Sequence, residues 1–325
     1  MLLAIDPGHE YVKALSSRGE RAFFPSLIHP APQTVDLGGF GRRMVTTIDD
    51  VPYVVGEAAR RVASPLWSRN KAVDEDTLRL ILVAAAELGA SGPVRLATDL
   101  PLAWFGAQRK AFKEALRGFG GTVVTANGVH SRLWFESVMV LPQGVAAAGP
   151  VLDSDAYAPG PYLVVDVGSR TTDYIMVYKT PTGELEFDEF AAGSLELGMH
   201  AVQSGIADQL TKTYQTHFTA AQVATVDSVI VRGSRIDITS ERAQHEQRTA
   251  RAIVKGLMER LDHQMDQVLG LVAVGGGSHI LAPLGEQVIQ PPEPQWANAQ
   301  GCLAALIASS AVVRGTIGGM AQPAR

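Results

Sequence analysis

Val164-Val165-Asp166-Val167-Gly168-Ser169-Arg170-Thr171-Thr172-Asp173-Tyr174 reads as an apolar strand, a tight turn and a second strand. The turn carries one carboxylate at its head, one glycine, and several side-chain donors. The same order stands at the start of the chain, where Ala4-Ile5-Asp6-Pro7-Gly8 is followed by Tyr11-Val12-Lys13. Asp6 and Asp166 are 160 positions apart (166 minus 6), about half the length of the chain. Such a repeat predicts two similar halves, with their Asp-x-Gly turns facing each other across one cleft.

Length and composition agree with two domains. The chain has 325 residues, of which 46% are hydrophobic and 19% charged, enough apolar material for packed cores and too much for a disordered chain. A formal charge of −5 argues against a broad basic surface for nucleic acid. The single cysteine, Cys302, excludes an internal disulfide framework and a zinc ribbon. No apolar run is long enough to span a bilayer, and MLLAIDPGHE lacks the basic start of a signal peptide, so a cytoplasmic location and no membrane partner are expected.

Domain I is expected over residues 1–155 plus 296–325, with a small β-rich subdomain at about 30–70, and domain II over 156–295. Asp153 to Gly160, rich in Asp, Ser, Pro and Gly, is the expected linker. Asp74-Glu75-Asp76 should open a helix that Gly89 stops, since acids favour the positive end of the helix dipole. Further helices are predicted at about Trp104–Leu116, Leu197–Tyr214, Ala220–Val226 and Ala299–Val313, with strands at Val94–Ala97, Arg132–Val140 and Leu271–Val274. Ser240 is the expected cap of a long helix running to about Leu269, a length that invites a break.

The turns have a chemistry of their own. A glycine lets a phosphate oxygen approach successive backbone N–H groups closely. Ser169, Thr171, Thr172 and Lys13 would add donors and charge. Asp6 and Asp166 cannot bind phosphate directly, but they can hold the hydrated Mg²⁺ that neutralises it. Each piece has an ordinary reading beside this one. An Asp-x-Gly between strands is commonly a β-turn, Lys13 a surface lysine, and Gly275-Gly276-Gly277 a simple connection. Cys302 reads as a buried small hydrophobe, His245 and His263 as solvated on a polar helix face, and His9 as a polar loop residue. Trp67, Trp104, Trp134 and Trp296 read as core or subunit-contact residues.

Taken together and in order, the motifs resemble those of the actin-like ATPase superfamily and, within it, bacterial and archaeal filament proteins of the ParM type. Leu3 to Gly8 with Lys13 resembles the first phosphate loop, and Leu141-Pro142-Gln143-Gly144-Val145-Ala146-Ala147 the first connecting motif. Val164 to Asp173 resembles the second phosphate loop, Val272 to Ser278 the adenosine motif, and Ala297-Asn298-Ala299-Gln300-Gly301 the second connecting motif. The resemblance implies an α/β fold of two similar ribonuclease H-like domains around a nucleotide cleft, binding ATP or ADP with Mg²⁺. It implies water-mediated metal contacts from Asp6 and Asp166, and phosphate contacts from Gly8, Lys13, Gly168, Ser169, Thr171 and Thr172. It places Gly275, Gly276 and Gly277 beside the adenosine, and gives Gln143 the orientation of the attacking water.

Two positions depart from the pattern. Ser169-Arg170 stands where a second glycine is common, and Gln143 where ParM-type proteins often carry Glu. The implied activity is ATP hydrolysis coupled to self-assembly into filaments, for DNA segregation or cytoskeletal positioning. A separate DNA-binding adaptor would make the nucleic-acid contact. A small-molecule kinase of the same superfamily and a non-catalytic nucleotide-dependent scaffold are the alternatives.

Overall fold

A computed structural model describes residues 1–33, 45–63, 68, 70–285 and 287–318. The backbone divides into two compact units, Met1–Pro150 with Trp296–Arg325, and Val151–Gln295. Trp67 lies outside the described residues, as does much of the expected β-rich subdomain.

The first unit begins with an antiparallel meander, β1 (Leu2–Pro7), β2 (Tyr11–Ser16) and β3 (Arg21–Pro25), followed by β4 (Ile28–Pro30), β5 (Val45–Ile48) and β6 (Val51–Val55). Helix α1 (Glu75–Glu87) follows, then β7 (Gly92–Leu100), α2 (Leu102–Leu116), β8 (Gly120–Val124), β9 (His130–Pro142) and α3 (Val145–Leu152). The strands form one mixed sheet in the order β3-β2-β1-β7-β9-β8-β5-β6-β4, with β1, β7 and β9 parallel. α1 buries Leu78, Leu80, Ile81, Leu82 and Val83 into the core with Leu3, Ile5, Leu96 and Phe135. Asp74 is its N-cap, Glu75 and Asp76 fill the first turn, and Gly89 just beyond its end takes φ +69°.

The second unit repeats the opening. β10 (Gly160–Val167), β11 (Thr172–Lys179) and β12 (Leu185–Leu195) form an antiparallel meander, and α4 (Met199–Tyr214) and the single turn α5 (Ala220–Val223) follow. A hairpin, β13 (Ser228–Val231) with β14 (Ser234–Asp237), leads into α6 (Thr239–Leu261), β15 (Gly270–Val274) and β16 (Val288–Ile289). The sheet order is β12-β11-β10-β15-β16, with β10 and β15 parallel. Both units therefore share a core of three antiparallel strands beside a parallel fourth. α7 (Ala297–Gly318) belongs to the first unit, where Cys302 and Leu306 pack on Ala4, Ala97 and Ala146.

Several expectations are corrected. α6 starts at Thr239 with Ile238 as N-cap, so Ser240 lies inside the helix and its hydroxyl caps nothing. The helix ends at Leu261, because Asp262 turns to φ 45° and tightens the chain into a 3-10 segment, Asp262–Gln267. The β13–β14 hairpin is an addition, with Arg232 and Gly233 both at positive φ in its two-residue turn. His245 is buried rather than solvated. Gly205 of α4 has no side chain to obstruct its ring, and the imidazole meets Gln209 at 3.0 Å.

Burial pushes the His245 pKa down. The unfolded chain therefore takes a proton below about pH 6.5, the ordinary histidine value, while the folded chain resists it. Stability is expected to fall as pH drops through that value. Chemical denaturation of wild type and His245→Gln between pH 7.5 and 5 checks this, with the variant showing the shallower slope.

Candidate functional site

The two Asp-x-Gly hairpins match residue for residue. In the first, Asp6 pairs with Lys13 and Pro7 with Val12; in the second, Asp166 pairs with Asp173 and Val167 with Thr172. The offset of 160 positions thus persists through strand, turn and strand. Four residues, Gly8–Tyr11 or Gly168–Thr171, separate the innermost matched pair of each hairpin.

In the first hairpin, Lys13 Nζ contacts Asp6 Oδ2 at 2.8 Å, and both groups are largely buried. The other carboxylate oxygen, Asp6 Oδ1, is buried and has no hydrogen-bond partner among the described residues. A buried carboxylate oxygen left so is costly, and it marks a place where water or a ligand belongs. Gly8 has no room for a side chain, since a Cβ would lie 2.8 Å from Tyr11 O and 3.0 Å from Lys13 Nζ. His9 makes an edge-on contact with Trp104 at 5.6 Å between ring centres.

Behind this hairpin lies a buried polar cluster that the sequence did not announce. Lys71 is buried and its ammonium donates to Pro7 O at 2.6 Å. Asp99, at the end of β7, accepts from Gln143 Nε2 at 2.8 Å and from the Cys302 thiol at 3.8 Å. Burial raises the Asp99 pKa well above the carboxylate range, and the negative charge of Asp6 adds to it, while Lys71 opposes the shift. Burial lowers the Lys71 pKa against the pull of Asp99 and Asp6. The thiol of Cys302 is pushed up by burial and kept protonated.

Gln143 is half-buried where β9 passes into α3. The amide given to Asp99 leaves its Oε1 directed elsewhere. The next residue, Gly144, donates its N–H to Asn298 Oδ1 at 3.0 Å. Gly301 packs so closely on α3 that a Cβ there would collide with the backbone of Ala146. The two connecting motifs therefore touch each other within the first unit. The sequence named both, but not Asn298 and Gly301 as their points of contact.

In the second hairpin the backbone holds itself. Gly168 N–H donates to Thr171 O at 2.9 Å. Gly168 O and Ser169 O accept from the N–H groups of Met199 and His200 at the start of α4, at 3.1 and 2.8 Å. Gly198 makes this close approach possible, since a Cβ there would lie 2.5 Å from Gly168 O. Thr172 is fully buried and donates its hydroxyl to Leu197 O at 2.7 Å, so that proton serves the loop's support. Asp173 supports the loop as well, accepting from the Ser194 hydroxyl.

Gly275, Gly276 and Gly277 follow β15 and divide into two kinds. Gly275 has φ +86°, and a Cβ on it would lie 2.2 Å from Asp166 Oδ1. A Cβ on Gly277 would meet Met199 and Val167 within 2.7 Å. Gly276 is exposed, and nothing lies within 4 Å of where its Cβ would be. Gly275 and Gly277 let the strand end nestle against the Asp166 turn, and Gly276 presents bare backbone to its surroundings.

Comparison with known proteins places this arrangement. A family model of the actin-like protein N-terminal domain matches residues 4–145, and one of the archaeal MreB-like actin homologue C-terminal domain matches residues 164–285. The chain belongs to the actin-like superfamily. An archaeal actin homolog of Thermoplasma acidophilum is 27% identical over 93% of this chain and 97% of its own. A ParM from Clostridium botulinum, solved as a 15-stranded filament, has a TM-score of 0.81 at 19% identity, covering 94% of this chain and 99% of that one. An archaeal actin homolog in complex with ADP has a TM-score of 0.79 at 24% identity, again covering 94% and 99%. The fold is actin-like, with two domains and mixed sheets. Among the described residues no helix is long and apolar enough to cross a membrane.

Proposed function

We propose that the chain is a filament-forming ATPase, whose duplicated Asp-x-Gly hairpins serve the binding of Mg-ATP phosphates. The observation that carries the reading is the matched pair of Asp-x-Gly hairpins, the first of which buries a carboxylate oxygen with no partner. ADP in a relative of the same fold supports a nucleotide as the ligand. The residues present suit hydrated Mg²⁺, which Asp6 and Asp166 would hold through water and which supplies charge neutralisation to the phosphates.

Gly8 and Gly168 would leave room for the phosphates to reach the loop N–H groups, with Lys13, Ser169 and Thr171 adding donors. Bare backbone at Gly276, flanked by Gly275 and Gly277, would lie against the adenosine. Gln143 has no basicity to lend, and phosphoryl transfer asks mainly for positioning. With its Nε2 committed to Asp99, its Oε1 is free to accept a hydrogen bond from the attacking water and set its line of approach. Gln143→Ala is therefore expected to slow phosphate release about 10- to 100-fold, the usual scale for a lost positioning group, while ATP affinity stays within about twofold. Single-turnover phosphate release beside equilibrium binding checks it.

A ParM relative is itself a filament, and self-assembly is the partner reading. Cytoplasmic DNA positioning through a separate adaptor is compatible with the charge of −5. Pelleting and electron microscopy with Mg-ATP, Mg-ADP or no nucleotide test the proposal. Nucleotide-dependent filaments are expected, and their absence over a wide concentration range rejects assembly. Transfer of phosphate to a small molecule instead of water would favour the kinase alternative.

A further inference from the structure

The matched offset invites a comparison of what holds each phosphate turn from behind. In the second unit, Val167 O accepts from Gly277 N–H at 2.9 Å and Gly168 O from Met199 N–H at 3.1 Å. Subtracting 160 gives Pro7 O and Gly8 O. In the first unit these carbonyls accept from Lys71 Nζ at 2.6 Å and from Ser26 Oγ at 2.6 Å. Ser26 also donates its own N–H to Glu10 O at 2.9 Å, so it holds the loop at two points. Where the second unit uses backbone donors, the first uses two buried side chains, Lys71 and Ser26, each under 3% exposed.

The consequence follows from peptide geometry. In a trans peptide the C=O and the next N–H point in opposite directions, and no peptide among the described residues is cis. Fixing Pro7 O fixes the Gly8 N–H, and fixing Gly8 O fixes the His9 N–H, each turned away from its brace. Gly168 N–H, the counterpart of Gly8 N–H, closes its own loop on Thr171 O. The two braces thus set the direction of the Gly8 and His9 peptide planes. Lys71, Ser26, Pro7, Gly8 and His9 line one small cavity behind the turn, so the brace and the turn are in direct contact.

We propose that Lys71 and Ser26 are positioning residues that preset the first phosphate turn, so that its N–H groups meet the nucleotide phosphates without rearrangement. The Lys71 ammonium donates to the Pro7 carbonyl. Its contribution passes through the Pro7 carbonyl, and the nearby Asp99 and Asp6 oppose the loss of its charge on burial. This rests on the nucleotide-binding reading, with adenosine at Gly276 and phosphates at the turns.

The test is isothermal titration of Mg-ATP, Mg-ADP and adenosine into wild type, Lys71→Met, Lys71→Arg and Ser26→Ala, with thermal melts of each. A lost buried hydrogen bond predicts that Lys71→Met weakens Mg-ATP about 10- to 100-fold and leaves adenosine within about twofold. Ser26→Ala, a near-isosteric change, should weaken Mg-ATP about 5- to 10-fold with adenosine again spared. Lys71→Arg should recover part of the loss, because it keeps a donor and a charge. Wild-type Mg-ATP affinity in both Lys71→Met and Ser26→Ala overturns the proposal, and so does a parallel loss of adenosine and ATP in folded protein. Should Lys71→Met not fold, Ser26→Ala decides alone. A wild-type protein that binds neither nucleotide overturns the functional reading itself, a result distinct from a failed brace.

Discussion

Gly275→Ala is expected to abolish Mg-ATP binding and to destabilise the second unit by roughly 2–5 kcal/mol, the sum of a left-handed backbone penalty and a forced shift in a packed site. Two independent causes act at this position. The backbone sits at φ +86°, which an alanine adopts only at a cost, and the added methyl would lie 2.2 Å from Asp166 Oδ1 and 2.6 Å from Val167 O. Neither neighbour is the loose end of a long side chain. Asp166 heads the second Asp-x-Gly turn, and Val167 O is already held by Gly277 N–H. Relief must therefore come from moving the turn itself.

Gly276→Val is the contrasting change. Its Cβ meets open space, so the melting temperature should move little, within the ~0.5 kcal/mol typical of surface substitutions. If backbone there lies against adenosine, ATP affinity should still fall more than about tenfold, as a sterically blocked contact implies. Paired melts and titrations of the two variants separate a folding effect from a binding effect. A Gly276→Val protein with wild-type affinity would remove the adenosine from this position.

How much of this was legible in the sequence depends on whether a residue acts on its neighbours in the chain or across space. The hairpins were legible because a turn is local: apolar run, Asp-x-Gly, apolar run, twice. The start of α1 was legible for the same reason, with acids in its first turn and glycine at its end. Lys71 was not, since nothing around Asn70-Lys71-Ala72 signals burial, and its partner, Pro7 O, is 64 positions away. Asp99 acts across space as well, since its contacts with Gln143 and Cys302 bring three distant segments together.

Gly198 and Gly301 matter because of what approaches them, and a sequence alone does not show an approaching carbonyl. His245 was misplaced because α6 looks polar around it, while the space that takes its ring is supplied by Gly205 on α4. Thr172 was named as a donor to phosphate on residue type. Its position at the head of β11 turns the hydroxyl toward Leu197 instead. Local chemistry thus identified the two turns, and tertiary packing determined what holds them.

Asp6→Asn should make nucleotide binding indifferent to Mg²⁺. The substitution keeps size and an oxygen that can still accept from Lys13, so the 2.8 Å contact need not be lost. What disappears is the negative charge, together with the second carboxylate oxygen, Oδ1, the one buried without a partner. An amide nitrogen in that place donates instead of accepting, and repels the outward-pointing hydrogens of a hydrated cation. The expected fall in Mg-ATP affinity is about a hundredfold, the ~3 kcal/mol scale of a charge-assisted hydrogen bond lost in a buried site.

Stability should fall somewhat, because the Asp6 charge pairs with the largely buried Lys13 and favours the charged form of buried Lys71. Asp166→Asn should behave alike if the two hairpins act as a pair. The measurement is ATP affinity with excess Mg²⁺ and with chelator. Wild type should show two different values, and each variant one. Adenosine affinity should not change, because it needs no metal. If both variants keep the wild-type affinity and its Mg²⁺ dependence, the carboxylates do not face the metal. The duplicated turns would then be a feature of the fold without being the site.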